Sequence, residues 1–344
     1  MTEFLSPSEH DPTRVRRSKD GRPYVKQRCP ASLGPVEQRD DWTEEETRNV
    51  WAMWPATCIR GRLPGKTAKV RQCPKCKGKG YVEKLYSRCT SFVSVLDDTT
   101  QLQAWKLRIT LTGLGVDHAL LAELDRTDPD DKDALNSIAE RAFEVGDGHV
   151  KAQKGTDLHT LTEYVDKGWP LPASLTDYET GQERPVTLQD RADLAAWVRT
   201  LDTLEIGHWQ GSECFVVQDD YQIGGTYDRR AELLSPICDC RMPVILDLKT
   251  GRIDYGAGKI AQQLAVYANS KDYDPATGER TDQDVCTHVG LVVHLPQGTG
   301  EASVHVVDLQ AGWSAVELSS KVREHRRMSR EMIWPLESHA ELTH

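Results

Sequence analysis

The stretch VILDLKTGRIDYGAGKIAQQLAVYA, residues 244–268, sets an acid and a base two positions apart at the end of an otherwise apolar run. Side chains alternate across a strand, so Asp247 and Lys249 share one face while Leu246 and Leu248 take the other. A second carboxylate, Asp228, ends GGTYD (224–228), where two glycines leave close backbone approach available. Two carboxylates offer hard oxygen ligands suited to Mg²⁺ or Mn²⁺. A lysine beside them can acidify a water or offset the charge built in a transition state. The Asp-x-Lys pattern is short, and Asp130-x-Lys132 matches it too. That second match lies in the acidic loop DRTDPDD (125–131), with no strand to present it, and is set aside.

The elements that must carry these groups are legible from their periods. ECFVVQ (213–218) and QIGGTYD (222–228) alternate as two strands joined at DDY, and VILDLKTG (244–251) is a third. KIAQQLAVYANS (259–270) follows as a helix, on which Gln263 and Tyr267 share a face at i,i+4. KGTDLHTLTEYVDKG (154–168) predicts a helix capped by Thr156 or Asp157 and stopped at Gly168; it carries His159, with Glu163 one turn on. Further helices are expected over 102–115, 131–145, 190–205 and 311–332, with TSFVSVL (90–96) as a short strand or helix entry. HVGLVVHL (288–295) and ASVHVVDL (302–309) form a final hairpin around PQGTG. Helices followed by strands flanked by helices give an α/β (α+β) core with a central mixed sheet.

Taken in order, G-T-x-x-H, then G-x-x-D, then a strand ending D-x-K-T-G, then Q-x-x-x-Y on the next helix resemble the RecB-like branch of the PD-(D/E)xK nuclease superfamily. The resemblance spans roughly residues 90–310 and is similar to the RecB-like exonucleases of bacteriophages and CRISPR systems. It implies a restriction-endonuclease-like core and metal-dependent hydrolysis of DNA phosphodiester bonds in replication, recombination or repair. On this resemblance Asp228, Asp247 and Lys249 are catalytic. His159, Asp228, Asp247 and the Leu248 carbonyl hold Mg²⁺ or Mn²⁺. Gln263 and Tyr267 line the site and touch DNA, and Lys259 meets a phosphate. Tyr267 could instead pack, His159 could be an ordinary helix histidine, and Glu163 an ordinary exposed acid. Glu213 is a weaker candidate. The substrate is DNA with an end. Without a helicase motor motif, the chain would work alone or lend ends to a recombination partner protein. A nuclease-fold DNA-binding or assembly protein without activity, and a site-specific endonuclease, remain alternatives.

The cysteines raise a separate question. CPKCKGKG (73–80) is a C-x-x-C-x-G-x-G knuckle, a zinc half-site if Cys58 and Cys89, or Cys29, complete it. The alternative is a reduced, metal-free loop. The resemblance to cluster-bearing RecB-like exonucleases would imply one cysteine before the nuclease motifs and three after them; only Cys286 follows here, so that iron–sulfur pattern does not fit. Cys238 and Cys240 read as ordinary loop residues. Nine cysteines, an odd number, argue against a full disulfide framework.

The net charge of −10 rules out a uniformly basic nucleic-acid binder, yet residues 1–90 hold 19 Lys and Arg against 11 Asp and Glu. Ten of those bases fall within 60–88, a ribbon that could grip DNA phosphates or simply be solvated. LPGKT (63–67) is no phosphate loop, since Arg60 stands where the first glycine belongs. No 18-residue apolar run is present and MTEFLSPSEHDP lacks a signal-peptide core, so a cytoplasmic protein is expected (the host's cytoplasm if phage-encoded). The expected organisation is a loosely ordered polar segment over 1–50, a basic Cys-containing region over 51–89, the nuclease-like domain over 90–332 and a tail over 333–344.

Overall fold

The computed structural model describes residues 15–28, 81–148, 150–176, 181 and 183–333. Cys29, Cys58, Cys73, Cys76, most of the basic ribbon and the tail beyond 333 lie outside the described residues.

In chain order the first elements are β1 (Tyr24–Arg28), β2 (Tyr81–Leu85), β3 (Ser87–Arg88) and α1 (Cys89–Val93). Then come α2 (Thr100–Val116), α3 (His118–Leu124), α4 (Lys132–Val145), α5 (Val150–Asp166), β4 (Ser174–Thr176), β5 (Glu183–Pro185) and α6 (Leu188–Thr203). The strand-rich half holds β6 (Ile206–Gln218), β7 (Ile223–Leu233), β8 (Val244–Lys249), α7 (Ala257–Ala268), β9 (Lys271–Tyr273), β10 (Arg280–Asp282), β11 (Val289–His294), β12 (Ser303–Asp308) and α8 (Leu309–Met328).

The central sheet has eight strands in the order β10-β9-β6-β7-β8-β11-β12, with β3 beside the start of β7. The hairpin β6–β7 and the pair β7–β8 are antiparallel, whereas β8 and β11 run parallel, with Leu246 opposite Leu291. A parallel pair needs a long crossover, and the chain from α7 through β10 supplies it. The sheet is therefore mixed and flanked by helices, an α+β architecture, as the sequence pattern predicts.

The alternation of β8 sorts its residues between two cores. Leu246 and Leu248 join Leu158, Leu161 and Trp197 on the side of α5 and α6. Ile245 faces the opposite core, built with α1, α7 and α8. Asp247 shares the parity of Ile245, and its charge is felt by Cys89 and Tyr267 on that side.

Two expectations are corrected here, and one helix is new. Residues 15–28 are not loosely ordered: β1 pairs antiparallel with β2, and Val15 and Val25 are buried. Their burial against Tyr86, Val217 and Tyr273 attaches this small sheet to the main one. Helix α5 begins at Val150, so Asp157 is not its cap; Asp157 is buried and accepts from Arg184 at 2.7 Å. Arg184 also meets Asp190 at 2.7 Å, which ties α5 to the start of α6. Finally, α3 was not expected; the Asp117 side chain caps it by accepting from the amides of Ala119 and Leu120.

Candidate functional site

Three elements bring the predicted residues together at the carboxyl end of β8. Helix α5 supplies His159, β7 supplies Asp228, and β8 supplies Asp247, Leu248 and Lys249. The β7–β8 ladder ends at Arg229 opposite Leu246. One step beyond, Asp228 Oδ2 accepts the Leu248 amide at 2.8 Å. The carboxylate thus takes over a backbone donor where the ladder stops. His159 Nδ1 stands 3.5 Å from the same oxygen.

Helix α5 lies close to the strand end because it has a glycine there. A Cβ at Gly155 would sit 2.9 Å from Thr250 Oγ1, just past β8. A second close approach occurs at Gly225 on β7, where a Cβ would come within 2.7 Å of Tyr267 Cε1 and 2.9 Å of Cys89 Cβ. The glycines before Asp228 therefore admit core side chains.

Lys249 Nζ lies 2.5 Å from Asp247 Oδ2, and Asp247 is almost wholly buried. That oxygen nonetheless has no aligned hydrogen-bond donor. The contact is a buried ion pair. Burial and the neighbouring Asp228 charge push the Asp247 carboxyl up to about 7, against the pull of Lys249. Burial would raise Asp228 as well, but His159, Arg229, Lys249 and the Leu248 amide hold it below the usual carboxylate range. The two acids are thus driven apart in acidity, one kept anionic and the other ready to take or release a proton near neutrality. Burial lowers His159, only partly offset by Asp228, which favours the neutral imidazole. Lys249 is raised: Asp247 and Asp228 outweigh its burial and keep it charged.

A cleft of about 1180 Å³ opens over this end of the sheet and is lined in part by His159, Glu163, Glu213, Asp228, Thr250 and Arg252. Glu213 keeps solvent-exposed surface on its rim and has φ 52°, an uncommon left-handed conformation for a residue with a Cβ. The cleft wall around its carboxyl and the charge of Asp228 push that carboxyl up to about 8. Glu163, expected as an exposed acid, is buried and pairs with Lys167 at 2.6 Å.

The remaining predicted residues take other places. Tyr267 is buried, and its hydroxyl accepts from Gln263 Nε2 at 3.0 Å, so it supports the site from within the core. Gln263 is half-buried beside it. Lys259 is engaged by Asp97 at 3.0 Å. Cys89 is buried in the core, where its thiol approaches the Gln263 carbonyl at 3.9 Å.

Beneath the cleft lies a network that no local pattern announces. Arg229, almost fully buried, donates to Asp166 Oδ2 at 2.5 Å and to Thr162 Oγ1 at 2.8 Å, both on α5. Trp197 Nε1 donates to the other Asp166 oxygen at 2.8 Å, and the guanidinium lies 4.8 Å from the Trp197 ring. At the opposite end of β8, Cys238, Cys240, Cys286 and His288 gather with ligand atoms all within 4.8 Å of one another, a group able to hold a metal ion. Cys238 and Cys240, expected as ordinary loop residues, do lie in the β7–β8 loop, and the structure sets them beside Cys286 and His288. The signal was present as paired short spacings, C-x-C at 238–240 and C-x-H at 286–288.

No helix among the described residues is long and apolar enough to cross a membrane. No protein-family model and no curated protein matches the chain. Among solved structures, one titled "Crystal structure of SSO0001" is similar at 14% identity with a TM-score of 0.22, over 40% of this chain and 59% of that one. This chain therefore matches little more than half the length of that structure.

Proposed function

We infer that the chain is a metal-dependent deoxyribonuclease of the PD-(D/E)xK kind, acting on DNA with a free end. The observation that carries this reading is the meeting of Asp228, Asp247, Lys249 and His159 around the Leu248 peptide. The donor types, two carboxylates, an imidazole and a backbone carbonyl, are those a hard divalent cation takes. The set pairs an anionic Asp228 with a buried Asp247 oxygen that lacks an aligned donor and with an imidazole favoured in its neutral form. Asp228, Asp247, His159 and the Leu248 carbonyl would hold it. Bound there, Mg²⁺ or Mn²⁺ supplies Lewis acidity and a water acidified toward neutral pH.

The chain's own groups divide the remaining work. Asp228, held anionic, supplies fixed negative charge and stays anchored to β8 through the Leu248 amide. Asp247, raised by burial and the Asp228 charge, would take the cation as a carboxylate, its proton displaced on binding. Lys249 remains an ammonium and offsets charge developing on the scissile phosphate. Tyr267 and Gln263 brace the strand carrying Asp228 through the close contact at Gly225.

A time course on end-labelled linear DNA with Mg²⁺, Mn²⁺ or a chelator tests the reading. Shortening products should form with either metal, stop with chelator, be absent for Asp247→Ala and form about 10²–10³-fold more slowly for Lys249→Ala. Closed circular duplex should survive. Binding of DNA without cleavage in both metals would instead establish a nuclease-fold binding protein.

A further inference from the structure

We propose that Cys238, Cys240, Cys286 and His288 form a structural Zn²⁺ site that clamps the amino-terminal ends of β8 and β11. This does not depend on the nuclease reading, because the cluster lies at the other end of β8 from Lys249.

The ligands come from two loops that the sheet makes neighbours. Cys238 and Cys240 lie in the connection from β7 to β8, and Cys286 and His288 lie just before β11. Both strands start here side by side and parallel, with Leu246 opposite Leu291. The Cys286 amide donates to the Pro243 carbonyl at 2.8 Å, which binds the two loops at the backbone.

The local backbone aims the side chains inward. The Arg241 amide donates to the Cys238 carbonyl at 3.0 Å, and Arg241 has φ 51°. This tight turn doubles the chain back so that residues 238 and 240 face one point. The Val289 amide approaches Cys286 Sγ at 3.4 Å, a backbone donor of the kind that supports a ligating sulfur.

The dimensions match a tetrahedral ion. Zn–S of about 2.3 Å and Zn–N of about 2.0–2.1 Å at tetrahedral angles give a sulfur-to-nitrogen edge of about 3.6 Å and a sulfur-to-sulfur edge of about 3.8 Å. Cys238 Sγ lies 3.6 Å from His288 Nδ1, and every pair of ligand atoms is within 4.8 Å. Three sulfurs and one imidazole are a Cys₃His set with all four positions filled by protein, the composition of a structural zinc centre with no place for substrate. The thiols are not joined as disulfides. Binding would release the three thiol protons and transfer no electrons.

The test must separate this site from any zinc held by the knuckle at 73–76. Full-length Cys73→Ser/Cys76→Ser protein, purified without chelator, should retain one zinc per chain. Adding Cys238→Ser/Cys240→Ser should remove it. As a check independent of whether that last variant folds, the metal-stripped Cys73→Ser/Cys76→Ser protein is titrated with Co²⁺. Tetrahedral d–d absorption with thiolate charge transfer should saturate at one equivalent and be displaced by one equivalent of Zn²⁺. A chain with no zinc and no tetrahedral cobalt spectrum overturns the proposal, as does peptide mapping that finds Cys240 joined to Cys286 as a disulfide in the native protein.

Discussion

Arg229 meets Asp166 at 2.5 Å, next in sequence to Asp228 and on the same helix as His159. The pair fixes where α5 sits against β7 and so fixes the distance between the imidazole and the carboxylate. Removing one partner would leave the other charge buried and unpaired, a loss of about 3–5 kcal/mol. Asp166→Ala should therefore lower stability by that order in urea unfolding followed by tryptophan fluorescence. Asp157→Ala should cost less, because Arg184 keeps Asp190 as a partner. A loss below about 1 kcal/mol in Asp166→Ala would show that Arg229 does not depend on Asp166.

The acidities at the site predict an unusual pH response. Asp247 and Glu213 are raised to about 7 and about 8 from ordinary values of 3.8 and 4.5. In that interval the native chain binds more protons than the unfolded one, so stability falls as pH rises and levels off above the raised values. Asp228 is shifted the other way, and its contribution is lost only in acid, as pH falls below its ordinary value. In chelator, the wild-type melting temperature should decline between pH 5 and 8 more steeply than that of Asp247→Asn. Mg²⁺ or Mn²⁺ should restore more stability at pH 8 than at pH 5.5. An identical slope in the variant would remove Asp247 as the cause.

Lys249→Ala should separate binding from turnover. The loss of one preorganised charge at a reacting phosphate is worth about 10²–10³ in rate. DNA affinity, spread over many phosphate contacts, should change by less than about threefold, because one contact among many is removed. Single-turnover cleavage and a binding titration on the same end-labelled duplex measure the two effects. A parallel drop in both would make Lys249 a binding residue only.

Gly225 predicts a packing effect transmitted to the site. A methyl group there would press on Tyr267 and Cys89, and overpacking of a filled core costs about 1–3 kcal/mol. Gly225→Ala should be destabilised by that amount. Gly225→Ala/Cys89→Gly, which removes one of the colliding atoms, should recover part of it. No recovery in chemical denaturation would show that the Tyr267 ring alone sets the limit.

The strands and helices near the motifs were legible because each carries its own period. The alternation in VILDLK and the i,i+4 pairing of Gln263 and Tyr267 both have local causes, and they gave a mixed sheet without its strand order. What the pattern could not show depends on partners distant in sequence. The β1–β2 pair joins residues 24–28 to 81–85. Asp157 looked like a cap because it is a short acid after a glycine; its partner Arg184 lies 27 positions away. Glu163 and Tyr267 have the spacing of site residues, yet burial against Lys167 and Gly225 determines what they touch. The Cys–His group was hidden because two loops, 46 residues apart between Cys240 and Cys286, meet only once β8 and β11 lie side by side.

The placement of β8 also has a mechanical consequence. Its six residues reach about 17 Å from Val244 to Lys249, a span with almost no freedom to stretch. Whatever anchors the loop at 238–243 sets how far Asp247 and Lys249 project at the other tip. A slip of 1 Å along this rod would be delivered undiminished to the reacting groups, where misplacement of that size costs about a hundredfold in rate.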